Sequence, residues 1–302
     1  MQDLLSHFQS IQRCTYRTDI PPLGLGDRAL RSDTGWGCTL RSGQMLLAQG
    51  VQRALLGPDW RLERAERRGG GETSSPFDGQ GERLFWDQPR SSAALSVHNL
   101  CRHGEPAGIV PGRWLGPWAF CQAARAAWAR SPEAQALGLE LDLVMDSGGA
   151  APVLHRGRFG AAWWAGGAQG EEEEGLGGTE LPGTRAVPGS SASATSPREG
   201  LILLVPLVLG LGRLSPCYQS LLRDVFAVPQ SIGVAAHGAE DAPTFQPSVL
   251  SSMSVESIDP SLALGFFCAS LSDYEDLCER LAALEARARG TPLLTVSDDP
   301  YP

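Results

Sequence analysis

Cys38 stands in the run Gly35-Trp36-Gly37-Cys38-Thr39-Leu40-Arg41, and the residues around it suit a thiol nucleophile. Glycines at 35 and 37 permit a tight, close-approaching backbone, and a helical pattern follows at once. A thiol at a helix N-terminus faces the positive end of the macrodipole and N–H groups without intrahelical partners, and both favour the thiolate. The same N–H groups can bind the oxyanion of an acyl-transfer intermediate. Trp36 supplies an apolar wall against water. The competing reading is an inert structural cysteine, which is what most lone cysteines are. The local pattern leaves both open.

Other chemistries find less support. The seven cysteines (14, 38, 101, 121, 217, 268 and 278) form an odd set with no Cys-x-x-Cys pair. That favours reduced thiols over a disulfide framework. Cys101-Arg102-His103 lacks a second pair at ligand spacing, so no metal is expected, and nothing calls for a cofactor. A net charge of -9 argues against a nucleic-acid backbone as partner. Residues 1–7 do not read as a signal peptide. The longest apolar run, 201–211, contains Pro206 and Gly210 and is too short to span a bilayer. The expectation is a soluble, cytoplasmic protein.

The elements that must position Cys38 follow from periodicity. Residues 39–56 place Leu40, Leu47, Val51 and Leu55 at helical spacing, with Met45 and Leu46 beside that face. Residues 117–129 read as an alanine-rich helix bearing Trp118, Phe120 and Trp128. The alternation over 139–145 suits a half-buried strand, and 201–209 a fully buried one. A helix is expected at 215–226, a short strand at 265–269, and an amphipathic helix at 271–289, apolar at Tyr274, Leu277, Cys278, Leu281 and Leu284. Residues 69–80 and 235–248 read as irregular. Residues 166–200, with Glu171-Glu172-Glu173-Glu174 and much Gly, Pro and Ser, read as a disordered insertion. The pattern gives an α+β fold, taken as one domain over 1–302.

The motif in context, from Ser32-Asp33-Thr34 through Cys38 to Gln44-Met45, closely resembles the active-site motif of the autophagins. These are papain-like cysteine proteases that process the ubiquitin-like autophagy modifier. Tyr16-Arg17, Leu95-Ser96-Val97-His98, Trp114-Leu115-Gly116-Pro117, Pro206-Leu207-Val208-Leu209-Gly210-Leu211, Pro229-Gln230-Ser231-Ile232-Gly233 and the run Asp259-Pro260-Ser261-Leu262-Ala263 to Cys268 match further family segments in the same order. The Asp-Pro-Ser-Leu-Ala form and the ending Thr291-Pro292-Leu293-Leu294 look most like the plant and algal branch. The resemblance implies that Cys38 is the nucleophile, that the Tyr16 hydroxyl sits near the oxyanion, and that Trp114 belongs to a gate over the substrate's C-terminal glycine. It also implies two activities: cutting the modifier after its C-terminal glycine, and releasing it from phosphatidylethanolamine, in transient contact with autophagic membranes.

One departure matters. The family's base and its orienting acid come from an Asp-Pro-His motif downstream of a Gly-Gly-Lys-Pro loop, and neither is here. The two Asp-Pro dipeptides, at 259 and 299, are followed by Ser261 and Tyr301. His237, with Glu240 and Asp241 nearby, is the remaining candidate base; His7, His98, His103 and His155 lie elsewhere along the chain. A second account is that the segment is missing from this sequence, as in an incomplete gene model, which would leave the central sheet incomplete. The chain would then be a catalytically impaired homologue that only binds the modifier.

Overall fold

The computed structural model describes residues 2–24, 29–61, 80–145, 151–166, 198–236 and 253–300. Before the sheet come α1 (Gln2–Ser10), α2 (Cys38–Leu56), α3 (Gln80–Arg83), α4 (Val97–Gly104), α5 (Pro117–Ala129) and α6 (Pro132–Gln135). Then follow β1 (Leu139–Leu143), β2 (Val153–His155), α7 (Ala161–Trp164), β3 (Gly200–Val208), α8 (Pro216–Phe226), β4 (Ser231–Ala236), β5 (Ser261–Cys268), α9 (Leu271–Ala286) and β6 (Thr295–Ser297). The α+β expectation holds.

Four strands make a mixed sheet in the order β1-β3-β5-β4, with β1 parallel to β3 and the remaining pairs antiparallel. Every residue of β3 except Val208 is buried, because both faces of the sheet are covered. Ile202 and Leu204 face one core with α2, α4 and α5; Leu201, Leu203, Val205 and Leu207 face another with α8 and α9. Alternate side chains of a strand point to opposite faces, so a strand covered on both sides reads as a continuous apolar run. Pro206 is tolerated for a local reason. Leu204 O accepts from Val144 N while Leu209 N donates to Pro260 O, so the even-numbered residues direct their backbone groups toward β1. β1 pairs only with 200–204, and Pro206, which has no N–H to give, lies beyond it.

Helix α2 crosses the first face. Leu40, Leu47 and Val51 are fully buried there, whereas Leu55 is 44% exposed, because the last turn runs past the core and Leu56 packs in its place. Trp128 is buried and donates from Nε1 to Leu139 O at 3.1 Å, tying α5 to β1, while Trp118 at the other end of α5 stays exposed. On the second face all five expected positions of α9 are buried. Ser270 caps that helix by accepting from Asp273 N, and the helix stops at Ala286 rather than 289.

Eight elements were not foreseen: α1, α3, α4, α6, β2, α7, β4 and β6. Strand β5 is also longer than expected, running Ser261–Cys268 rather than 265–269. Its start is set by the Asp259 carboxylate, which accepts from Ser261 N at 2.7 Å and turns the chain into the strand. The expected loop at 69–80, apart from Gln80 at the head of α3, lies outside the described residues. So do 167–197 of the expected disordered stretch and 237–248 of the third irregular one, whose first two residues end β4.

Candidate active site

The turn that delivers Cys38 is built by its glycines. Gly35 adopts φ +85, a left-handed conformation that L side chains rarely take. At Gly37 a Cβ would lie 2.6 Å from Asp33 Oδ2, so only glycine lets the Asp33 carboxylate come this close. Gly37 N donates to Asp33 O at 2.8 Å, and Gly37 O accepts from Arg41 N at 2.9 Å as the first helical bond of α2. Cys38 is therefore the first residue of a 19-residue helix, as expected, and it is half-buried. Trp36 is 6% exposed and donates from Nε1 to Ser32 O at 3.0 Å, so it wedges the turn against the core as well as walling it.

Tyr16 arrives from a separate segment. Its hydroxyl lies beside the Cys38 thiol, close enough to interact with it, although the residue is 46% exposed. The phenol is pushed above its ordinary pKa by burial first, then by the charge and hydrogen bond of Cys38, and last by Asp33. Below the pair lies a buried ionic cluster. The Asp33 carboxylate, with no exposed surface, accepts from Arg41 Nε at 2.6 Å and from Arg17 N at 2.7 Å. Arg41 Nη1 donates to both Asp87 oxygens at 3.0 Å and to Gln44 Oε1 at 3.0 Å. Burial works against the Arg41 charge, but the hydrogen bond to Asp33 and the charges of Asp87 and Asp33 outweigh it and hold the guanidinium protonated.

The remaining thiols contrast with Cys38. Burial pushes Cys14 and Cys101 up to about 12, and raises Cys121, Cys268 and Cys278 as well, so these five are inert. Cys217 is exposed in the first turn of α8, without the wall or the tyrosine that Cys38 has.

Cys38 and Tyr16 are thus brought together. Trp114 stands 52% exposed on the loop before α5. That helix crosses α2 where the Phe120 ring sits against Gly43, five residues past Cys38. His237 lies outside the described residues. Of the other histidines, His98 Nε2 bonds Pro21 O at 2.7 Å, His155 Nδ1 pairs with Asp299 O at 3.2 Å, and His103 lies in the last turn of α4. His7 lines an open groove of about 470 Å³ with Ser42 of α2 and Gly233 of β4. Sequence reasoning missed Asp33, Arg41 and Asp87. The first two lie inside the quoted motif, but nothing in their spacing shows that they pair, and Asp87 is 46 residues from Arg41.

A thiol at the head of a long helix laid across a mixed sheet, with a tyrosine hydroxyl on its sulfur, defines a papain-like α+β domain. The model of the Peptidase C54 catalytic domain matches residues 1–241 and 235–280, and the chain belongs to that family, the autophagins its motifs resemble. It is 30% identical to the cysteine protease ATG4b of Arabidopsis thaliana, covering 96% of this chain and 62% of that protein. It is 29% identical to the cysteine protease ATG4A of Oryza sativa subsp. indica, covering 99% and 65%. Against the cysteine protease ATG4B of Xenopus laevis the identity is 29%, over 98% of the chain and 79% of the relative. The chain therefore spans less than two thirds of the plant relatives' length, and the plant-like branch fits. No helix among the described residues is long and apolar enough to cross a membrane.

Proposed function

We propose that the chain is a cysteine endopeptidase of autophagy. It cuts the ubiquitin-like modifier after its C-terminal glycine and removes that modifier from phosphatidylethanolamine, as a single cytoplasmic domain over 1–302 that carries an insertion at 166–200. The observation that carries this reading is Cys38 at the head of the 19-residue helix α2, with the Tyr16 hydroxyl beside its thiol. In the reaction the Cys38 sulfur attacks the glycine carbonyl. The resulting oxyanion is met by the first-turn N–H groups of α2 and by the Tyr16 hydroxyl; the amine leaves with a proton, and water then hydrolyses the Cys38 thioester, releasing the glycine carboxylate and restoring the thiol. Trp114, half-exposed on the α5 loop, covers the glycine. His237 is the candidate that takes and returns the proton.

A specific observation favours a second reading, in which the chain binds the modifier without cutting it. Asp-Pro-His is absent from the sequence, and the two family-matched stretches meet at 235–241, next to where it should fall. Strand β4 pairs directly with β5, Ala236 opposite Leu262, so no strand stands between them to bring a base. Purified chain incubated with the modifier's precursor, beside a Cys38→Ser control, decides. Cleavage that the control loses supports the peptidase; micromolar binding without cleavage supports the binding module.

A further inference from the structure

The contact between Tyr16 and Cys38 joins two segments 22 positions apart, and neither residue is buried enough to be held by packing. Something else must set their distance. Directly beneath them Asp33 grips the Arg17 peptide, next to Tyr16, from both sides: Asp33 N donates to Arg17 O at 3.4 Å and the carboxylate accepts from Arg17 N at 2.7 Å. The same residue holds the Cys38 turn, since its backbone carbonyl accepts from Trp36 N and Gly37 N. Its second carboxylate oxygen takes Arg41 Nε from the first turn of α2. Arg41 is fixed in turn by Asp87 and Gln44, and Gln44 Nε2 donates to Leu95 O at 2.6 Å. Most described bonds between the Tyr16–Arg17 segment and the Cys38 turn therefore run through Asp33; besides the Tyr16–Cys38 contact itself, the others are Ser32 Oγ to Arg17 O at 2.9 Å and the looser Arg17–Asp87 ion pair at 3.7 Å, which reaches Arg41 through Asp87. Both Asp33 carboxylate oxygens are engaged, which offsets the cost of burying the charge and fixes its orientation, although Arg41 Nη2 in the same cluster is buried without a hydrogen-bond partner among the described residues.

We infer that Asp33, locked by Arg41 and Asp87, is the positioning residue that sets the Tyr16 hydroxyl against the Cys38 sulfur. The inference rests on Cys38 and Tyr16 acting as a pair, and it assigns Asp33 no contact with substrate. Its effect passes through Tyr16, so removing Tyr16 should leave Asp33 nothing to position.

The test is a double-mutant cycle read by the rate at which iodoacetamide alkylates Cys38, with mass spectrometry to locate the label. It is run in a Cys217→Ser background so that the exposed second thiol does not compete. Alkylation needs neither the modifier nor a base from 237–252, so a chain that fails to cleave still reports on this contact. Tyr16→Phe is expected to change the rate about fivefold, as loss of one hydrogen bond to a reacting group does. Asp33→Asn, whose amide oxygen can serve Arg17 N or Arg41 Nε but not both, is expected to change it by a similar factor. The double variant should match Tyr16→Phe alone. A purely structural Asp33 gives effects that multiply, about 25-fold in the double variant, and that result, or an unchanged rate in Asp33→Asn, overturns the inference. Should Asp33→Asn not fold, the same cycle with Asp87→Asn decides it: about a twofold change that vanishes beside Tyr16→Phe supports positioning, and a change that persists overturns it. A parent Cys38 that resists alkylation removes the nucleophile itself, and with it both this inference and the proposed function.

Discussion

Ten of the twelve buried polar side chains among the described residues, from Ser10 to Ser131, lie on the side of the sheet that carries Cys38; the other two, Gln230 and Ser231, sit at the start of β4. Beneath α8 and α9 the core is Leu221, Leu222, Leu262, Leu264, Phe266, Leu277 and Leu281, closed by the edge-on contact of Phe159 with Tyr274 at 5.6 Å. Apolar burial is non-directional and roughly proportional to area, so it gives adhesion without fixing the angle of any one group. A buried ionic network is the reverse: it adds little net stability but tolerates only one arrangement. The molecule uses area where it needs an anchor and directed bonds where two side chains must meet.

Arg41→Met is the strongest way to break that contrast. It leaves the Asp33 carboxylate buried without a cation and Asp87 with only the looser Arg17 contact at 3.7 Å, which should cost about 3–5 kcal/mol in urea unfolding and also shift the Cys38 alkylation rate of the molecules that stay folded. Leu277→Ala, fully buried in α9, should cost about 3 kcal/mol but leave that rate per folded molecule unchanged. A rate that falls with Leu277→Ala would show that the two faces are not separate in function.

Alkaline pH probes both faces at once. Cys101 stays protonated in the fold up to about 12, whereas an unfolded thiol releases its proton near 9. The native state thus binds more protons than the unfolded one in that window, and stability falls as pH rises through it. Each such thiol contributes a slope of about 1.4 kcal/mol per pH unit. Unfolding midpoints between pH 9 and 11 should show this decline, and Cys101→Ala should flatten it by one thiol's share; an unchanged slope would mean that Cys101 is not sequestered as described. The smallest effects should be equal on the two sides. Ser96 caps α4 by accepting from Asn99 N, and Ser270 caps α9 by accepting from Asp273 N. Replacing either with alanine should cost about 1 kcal/mol, measured as a shift in unfolding midpoint, and neither should alter alkylation at Cys38.

Legibility followed the same division. Helices α2, α5, α8 and α9 and strands β1 and β3 were readable because each carries a repeating apolar pattern long enough to set its period. Strand β4 was not: Ser231-Ile232-Gly233-Val234-Ala235-Ala236 has too few large side chains to show alternation, and it becomes a strand by pairing with β5 and packing beneath α2. Cys38 was readable as the head of a helix because glycine on either side of a tryptophan and an immediate helical run are local features. Its partnership with Tyr16 was expected only through family resemblance, since no periodicity relates residues 16 and 38.

By itself the sequence determined the elements, the placement of one thiol at a helix start, the family, and the absence of Asp-Pro-His, all of which depend on neighbours along the chain. Tertiary structure alone decided which cysteines are sealed as thiols and that Asp33, Arg41 and Asp87 converge under Tyr16. Burial and ion pairing depend on distances between segments, and those distances exist only once the sheet has brought the segments together.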